Sequence, residues 1–398
     1  MSKIVIIGGG FSGVISAIEA SKRYSDVTIL ERNSEILKKL LMTGNGRCNY
    51  FNENQSLDNY HSYNEELIKD IINDENIEHL NKFYEEIGIY PKIKNGYYYP
   101  YSNQAISVKN ALVNKLKELN VNIITDYYVS SIKKENNKFI INNDITCDKL
   151  IVSTGSKAYP KTGSDGNGYD LLKELGLKIS EINPALVSLV TDDTNLKDLS
   201  GVRCEAKILF YSDDKFIKEE EGELQLTDYG ISGICVFNLS HLFYKIPGKK
   251  KVLINFMPFI KTKEELIKYL DNRNNIMNNK KISELLNGIL NNKIIKAIIK
   301  KSNINDISYK SLSLIEKETL CNNILNYEMN VLSTKSFDKS QVCMGGVYLS
   351  EIDTHTMKVK NIDNLYITGE VLDVDGVCGG YNLTFAFITG YLAGNNIW

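Results

Sequence analysis

The sequence predicts an α/β fold: a mainly parallel sheet with helices against it, into which a β-rich stretch and then a helical stretch are inserted. Three observations predict this. Residues 3–31 read as strand, glycine turn, helix, strand and terminal acid. Two later apolar strands, near 149–152 and 365–368, each run into a Thr-Gly pair. Between them the apolar period changes, to alternation from about 184 to 258 and to helical spacing from 261 to about 326.

The first unit is the most specific. Ile4-Val5-Ile6-Ile7 is an unbroken apolar strand, and Gly8, Gly10 and Gly13 follow it in a G-x-G-x-x-G pattern. Gly8 permits the tight turn, Gly10 lets the backbone approach a pyrophosphate, and Gly13 lets the helix pack close to the strand. The helix opening at Phe11 and Ser12 offers phosphates free N–H groups and a partial positive charge. Glu31 closes the second strand, Val27-Thr28-Ile29-Leu30. A carboxylate there accepts hydrogen bonds from a ribose 2′-hydroxyl and repels a 2′-phosphate, which disfavours NADP. A lone G-x-G-x-x-G is weak. Here strand, helix and acid in the right order make it a dinucleotide site, although the motif does not separate FAD from NAD.

After Glu31 comes a glycine-rich loop, residues 38–49, carrying Arg47. A helix is expected over 64–88, an extended aromatic run over 97–101 and a helix over 105–119. Residues 121–153 read as short strands, with a hairpin of 127–133 and 138–141. A loop over 162–168 precedes a helix over 169–175. In the helical insert, Ile282, Leu285, Leu286, Ile289 and Leu290 make one apolar stripe, read as core. The last helix begins near Gly380. The nucleotide domain is thus discontinuous, its sheet begun by residue 1 and finished near 398: 1–183 with 335–398. A β domain occupies 184–260 and 327–334, and a helical domain 261–326. The insert is the natural lid over a cofactor.

At 398 residues the chain can hold two or three domains. Its 47 basic and 49 acidic residues leave a net charge of −2, which argues against an extended nucleic-acid surface. No apolar run approaches the ~20 residues of a membrane span, and no signal-peptide pattern opens the chain. The seven cysteines form no C-x-x-C pair. Reduced thiols and a cytoplasmic setting are expected, with no disulfide framework, and the four histidines lack metal-ligand spacing.

Three segments suggest FAD: Gly8–Gly13 with Glu31, the strand end at Thr154-Gly155, and Gly369-Glu370 followed by Gly379-Gly380-Tyr381-Asn382. In flavoproteins of the two-dinucleotide-binding-domain type, the third strand carries the ribitol end of the cofactor. The next helix turns its N-terminus to flavin N1–C2=O, stabilising the reduced anion.

The chain resembles the BaiN-like, or aminoacetone-oxidase-like, family of FAD-binding flavoproteins. The resemblance rests on Lys39-Leu40-Leu41-Met42-Thr43-Gly44-Asn45-Gly46-Arg47-Cys48-Asn49 and on Thr162-Gly163-Ser164-Asp165-Gly166. It rests also on Gly222-Glu223-Leu224 with Thr227 and Tyr229-Gly230-Ile231-Ser232-Gly233. The last strings are Gly369-Glu370-Val371-Leu372-Asp373-Val374-Asp375-Gly376 and Gly379-Gly380-Tyr381-Asn382. It implies a Rossmann-like FAD domain, an inserted β-barrel-like domain and a small helical domain. It also implies an oxidoreductase, with substrates that range over family members from steroid-type enones to an aminoketone. The chain departs from the family's Gly-Arg-Val-Phe-Pro at Gly96-Tyr97-Tyr98-Tyr99-Pro100 and from its Gly-His at Gly176-Leu177. Gly369-Glu370 also stands where many flavoproteins have Gly-Asp.

The candidate cofactor residues are Gly8, Gly10, Phe11, Ser12, Gly13, Glu31, Arg32, Lys39, Gly44, Gly46, Arg47, Cys48, Asn49, Val129, Thr154, Gly155, Gly369, Glu370, Asp375, Gly379, Gly380, Tyr381 and Asn382. Catalytic candidates are Arg47, Asp373, Asp375 and Tyr381. The Arg47 guanidinium suits a pyrophosphate or a substrate; the plain alternative is a surface ion pair. Cys48, with no cysteine nearby in sequence, reads as packing rather than as a redox thiol. Asp373 and Asp375 can bind ribitol, move a proton or shape the loop. Tyr381 can cover the ring, act as an acid or pack, and the tyrosines at 97–99 can line a pocket or an edge strand.

The expected activity is hydride transfer between flavin N5 and a small or mid-sized organic substrate. It runs as a reductase or as an oxygen-using oxidase of an amine or aminoketone. With a single G-x-G-x-x-G, NAD(P)H would bind only transiently as electron donor. Two rivals stand beside it: an RNA-binding or RNA-modifying flavoprotein, and an NAD-dependent dehydrogenase without flavin.

Overall fold

A computed structural model describes Ser2–Ile397; residues 1 and 398, the expected limits of the sheet, lie outside the described residues. The chain folds as two compact units. One runs to Ala185 and resumes at Phe337, and the other is Leu186–Ser336.

The first unit is built on a seven-stranded sheet. Five parallel strands lie in the spatial order Asn122–Ile124, Val27–Leu30, Ile4–Ile7, Lys149–Val152 and Leu365–Ile367. Lys358–Val359 and Ile352–Asp353 extend it as antiparallel edge strands. Ile4–Ile7 is buried throughout, which explains its unbroken apolar run. Ile7 is in register with Val152, and Val152 with Ile367, so three carboxyl ends lie side by side. The chain order changes direction at Ile4–Ile7. The crevice outside such a point is where open α/β sheets hold their ligands.

Helices Phe11–Ser21 and Tyr381–Asn395 pack in the same unit. The second is apolar around its circumference and buried along most of its length. A small antiparallel sheet, Phe51–Asn52, Tyr97–Pro100 and Pro91–Lys94, lies at the start of that helix.

Several elements differ from expectation. The helix over 64–88 is broken: Ile68–Ile71 ends, and Asp74–Glu86 begins after Asn73, whose side chain accepts the Asn76 N–H at 3.0 Å. The strand expected over 127–133 is shifted to Ile132–Glu135, and the Tyr127 N–H donates instead to the Glu31 carbonyl at 2.9 Å. The stripe at 282–290 is not one helix. Ile282–Leu286 stops at Asn287, which is extended, and Gly288 follows at φ +81°. The aromatic run is half of a hairpin whose two-residue turn is Asn95 (φ 52°) and Gly96 (φ 80°).

The second unit contains a closed six-stranded barrel. Its strands are Leu189–Thr191, Gly230–Ser232, Lys215–Leu226, Arg203–Ser212, Lys250–Asn255 and Tyr327–Thr334. The barrel and the helices of 263–325 share one apolar core, in which Phe210, Tyr309 and Tyr327 are the bulkiest fully buried side chains. The α/β class and the barrel anticipated from the resemblance are borne out. No helix among the described residues is long and apolar enough to cross a membrane.

Candidate functional site

The glycine turn after Ile4–Ile7 has three glycines for three different reasons. Gly8 adopts φ +105°, and a β-carbon there would stand 2.3 Å from the Ser153 carbonyl oxygen. A β-carbon on Gly13 would stand 2.0 Å from the Gly8 carbonyl oxygen, so the helix cannot sit this close to the strand with any side chain. A β-carbon on Gly10 would meet nothing within 4 Å. Gly10 is extended (φ −73°, ψ −177°), so its backbone needs no glycine. What glycine preserves there is open space before the helix N-terminus. Gly10 caps Phe11–Ser21 without any side-chain hydrogen bond, and no acid occupies the first turn. The N–H groups at Phe11 and Ser12 therefore face a side-chain-free hollow, which fits a pyrophosphate.

Glu31 is buried and held in place. Its Oε2 accepts the Gly9 N–H at 2.8 Å, and its Oε1 accepts the Asn33 backbone N–H at 2.8 Å and side-chain amide at 2.6 Å. A carboxylate has about four lone-pair positions, so capacity for a ribose hydroxyl remains. Arg32 lies 5.0 Å over the Tyr128 ring and pairs with Asp165. The buried Val129 offers its carbonyl to the Asn167 amide at 3.0 Å.

The second and third strand ends adjoin the turn. The Ser153 and Thr368 hydroxyls bridge them at 2.6 Å. The Thr154 hydroxyl is buried against Gly168 with no partner among the described residues, while Gly155, at φ +71°, leaves its backbone part exposed. Gly369 (φ +75°) lies against Ser12, where a β-carbon would stand 2.3 Å from Oγ. Glu370 accepts from Lys39 Nζ at 2.5 Å and from Ser156 Oγ at 3.1 Å, tying the glycine-rich loop to the third strand end.

That loop is a kinked turn over Leu40–Gly46, with Gly44 and Asn45 both left-handed. Gly46 is also left-handed (φ +82°) and exposed. Asn49, with its amide oriented to satisfy its neighbours, donates to the Phe51 and Tyr98 carbonyls at 3.1 and 3.0 Å. Cys48 is fully buried, and burial pushes its thiol up to about 12, as packing and not redox use requires. Arg47 is exposed. Its guanidinium lies 5.4 Å over the Tyr99 ring, and its Nε donates to the Gly44 carbonyl at 3.1 Å.

The segment before the last helix is built on buried polar groups. Asp373 accepts the Tyr63 N–H at 2.8 Å and the Ser62 hydroxyl at 3.2 Å. Asp375 lies 3.2 Å from His61 Nδ1. Asn382 bonds the Gly376 N–H and carbonyl at 2.9 and 2.8 Å. These contacts shape the loop. Tyr381 is buried edge-on to Tyr60 at 5.5 Å, and burial pushes its phenol up to about 12. Gly379 and Gly380 are both left-handed, and Gly380 caps the helix with no side-chain hydrogen bond.

Both helices thus start at a glycine without a side-chain cap, although Gly10 faces open space and Gly380 packs against the Phe51 backbone, and their offset is fixed. Gly390 lies against Ser12 and Gly394 against Ser16. Ser12 is two residues past the cap Gly10 and Gly390 ten past the cap Gly380; the second pair gives the same difference of eight. At 1.5 Å per residue the last helix begins about 12 Å beyond the first along the helix direction.

Sequence reasoning missed Lys92 and Lys94, which pair across the hairpin with Tyr99 and Tyr97. The Asn95-Gly96 dipeptide, a strong hairpin signal, would have found them.

Comparison with known proteins follows the same lines. The family described as HI0933-like protein Rossmann domain matches residues 2–396. A Clostridium scindens protein named 3-dehydro-bile acid delta(4,6)-reductase is 36% identical over 403 residues, covering 99% of this chain and 98% of that one. An Escherichia coli protein named ribosomal RNA dihydrouridine synthase is 26% identical over 411 residues, covering 99% and 97%. The structure of 3-ketosteroid-delta4-(5alpha)-dehydrogenase from Rhodococcus jostii superposes with a TM-score of 0.51 at 14% identity, covering 99% of this chain and 96% of that one, and shares the fold.

Proposed function

This chain belongs to the HI0933-like Rossmann-domain family, the flavoprotein family its sequence resembles, and from that premise we propose that it is an FAD-dependent reductase. Its substrate is a carbon–carbon double bond conjugated to a carbonyl. The carrying observation is the pair of helix N-termini that no side chain caps, offset by about 12 Å along the helix direction. That spacing suits a ligand with a pyrophosphate at one end and an electron-accepting ring at the other.

Bound FAD supplies two-electron hydride chemistry. The chain's residues supply the rest. The N–H groups of Phe11 and Ser12 would hold the pyrophosphate, with Gly10 leaving it room. Glu31, fixed by Gly9 and Asn33, would accept from the adenosine ribose. The first turn at Tyr381 and Asn382 would present its free N–H groups and helix dipole to a bound flavin, where they favour negative charge. The names of the relatives favour reduction: one refers to delta(4,6) double bonds of a 3-dehydro bile acid, the other to dihydrouridine. The balanced reaction consumes one NAD(P)H and one proton per double bond, hydride going to the β-carbon and the proton to the α-carbon.

The test is an anaerobic spectrum of the purified protein. Bands near ~450 nm that NADH or NADPH bleaches, and a 3-oxo-4-ene steroid restores, are expected. Bleached protein reoxidised by oxygen and not by the enone would favour an oxidase. Protein reoxidised only by ribosomal RNA would favour the RNA-modifying reading, which the E. coli relative supports. Absence of flavin bands even after FAD is added would sink the proposal.

A further inference from the structure

Resting on the reading above, we propose that the substrate is a ring-bearing small molecule with an anionic group. Arg47, Lys92 and Lys94 hold that group, while Tyr97 and Tyr99 bed the adjoining rings.

Strands Pro91–Lys94 and Tyr97–Pro100 are antiparallel, with Lys92 opposite Tyr99 and Lys94 opposite Tyr97. Directly opposed residues share a face and alternate residues return to it. One face of the hairpin therefore carries two lysines and two tyrosines, with Asn52 of the adjoining strand Phe51–Asn52 opposite Tyr97. Arg47 joins the same face by lying over the Tyr99 ring. On the reverse face Tyr98 stands edge-on to Phe51 at 5.1 Å and to Tyr50 at 6.2 Å.

The cations on this face are unspent. Among the described residues no carboxylate pairs with Arg47, Lys92 or Lys94, and both lysines are exposed. Lys39, by contrast, is held by Glu370. The neighbouring acid, Glu53, falls on the reverse face by alternation and accepts the Tyr98 hydroxyl at 3.2 Å.

The face is also placed for substrate. The Tyr97 ring edge would stand 2.9 Å from a β-carbon on Gly379, and the Asn52 amide donates to the Gly379 carbonyl at 3.3 Å. The tyrosines thus begin at the uncapped end of the last helix and lead away from it. Lys92 and Tyr99 lie two residues further on, about 7 Å along the strand. A molecule whose reacting double bond sits at the helix end would lay its rings over Tyr97 and Tyr99 and reach the cations with its far end. Aromatic rings tolerate flat apolar skeletons, and a guanidinium fork with two ammonium groups suits one carboxylate or sulfate. Three cations on a chain of net charge −2 favour one compact anion over a polyphosphate backbone.

The experiment uses the flavin-loaded protein. Kinetics of a 3-oxo-4-ene steroid carboxylic acid and of its methyl ester are compared in wild type and in Lys92→Glu/Lys94→Glu, at low and high salt. Binding of each compound is followed separately by the flavin difference spectrum. Wild type is expected to prefer the acid by ~10-fold or more in kcat/KM, less at high salt. The double variant should raise KM for the acid ~10-fold with kcat within twofold, and lose the preference, while its flavin spectrum reports an intact fold. Equal handling of acid and ester by wild type would overturn the proposal, as would unchanged acid binding in the variant. So would tighter binding of an RNA oligonucleotide that the variant abolishes. If neither steroid nor cyclohexenone is turned over, the reductase reading fails, and the binding titration still decides the anion site.

Discussion

A β-carbon on Gly390 would stand 2.5 Å from the main-chain oxygen of Ser12. The first and last helices of the nucleotide unit touch backbone to backbone, and any side chain at 390 must drive them apart. Gly390→Val is expected to destabilise by about 2 kcal/mol or more. It should also release FAD, because the spacing of the helix N-termini changes with the packing. Urea unfolding and flavin release on gel filtration measure the two effects.

Gly10 and Gly13 should separate binding from folding. At Gly10 a methyl group meets no protein atom, so Gly10→Ala should leave apoprotein stability within about 0.5 kcal/mol of wild type while weakening FAD by ~10-fold or more. At Gly13 the methyl meets the Gly8 carbonyl oxygen at 2.0 Å, and Gly13→Ala should lower stability before any ligand is added. Equal loss of apoprotein stability in both variants would show that the hollow at Gly10 is not a ligand space.

Glu31→Ala should cost the apoprotein about 1–3 kcal/mol, because the buried Gly9 N–H loses its acceptor. It should weaken FAD as well. A variant that binds FAD as wild type does would remove Glu31 from the ribose contact.

Cys48 gives a pH signature. Burial holds the folded thiol at about 12 against an ordinary 9, so folded protein keeps its proton where unfolded chain has lost it. The contribution is fully present below pH 9 and drains away as pH rises through 9 to 12. Relative to Cys48→Ala, wild type should lose on the order of 1 kcal/mol between pH 7 and 10. Denaturant titrations at the two pH values measure it. Parallel pH dependence in the two proteins would contradict this account.

The turn at Gly8–Gly13 was legible because two of its glycines face main-chain oxygens at 2.3 and 2.0 Å, and no other residue can stand there. The strand ends at Thr154 and Thr368 were legible through buried runs that periodicity registers. The partners of Asp373, Asp375 and Asn382 were not. Each bonds a residue far away or across a turn, and nothing in the local pattern names Tyr63, His61 or Gly376. The break before Asn73 was available in principle, since Asn73-Asp74-Glu75 is a helix-start signal that the surrounding apolar spacing overrode. Lys92 and Lys94 went unread because surface lysines have no periodicity of their own. Only the turn that folds them against the tyrosines gives them meaning.

The order of the sheet has a consequence for synthesis. Lys149–Val152 pairs on one side with a strand made at the start of the chain and on the other with Leu365–Ile367. While the ribosome translates the intervening two hundred or so residues, that flank has no native neighbour, and its unpaired amides invite a stranger's strand. The Leu186–Ser336 unit, contiguous in sequence, can finish folding in that interval. Released chains that end at residue 340 should therefore be protease-resistant in the barrel and sensitive around Lys149, and the cofactor should find no home until the last strand and helix are made.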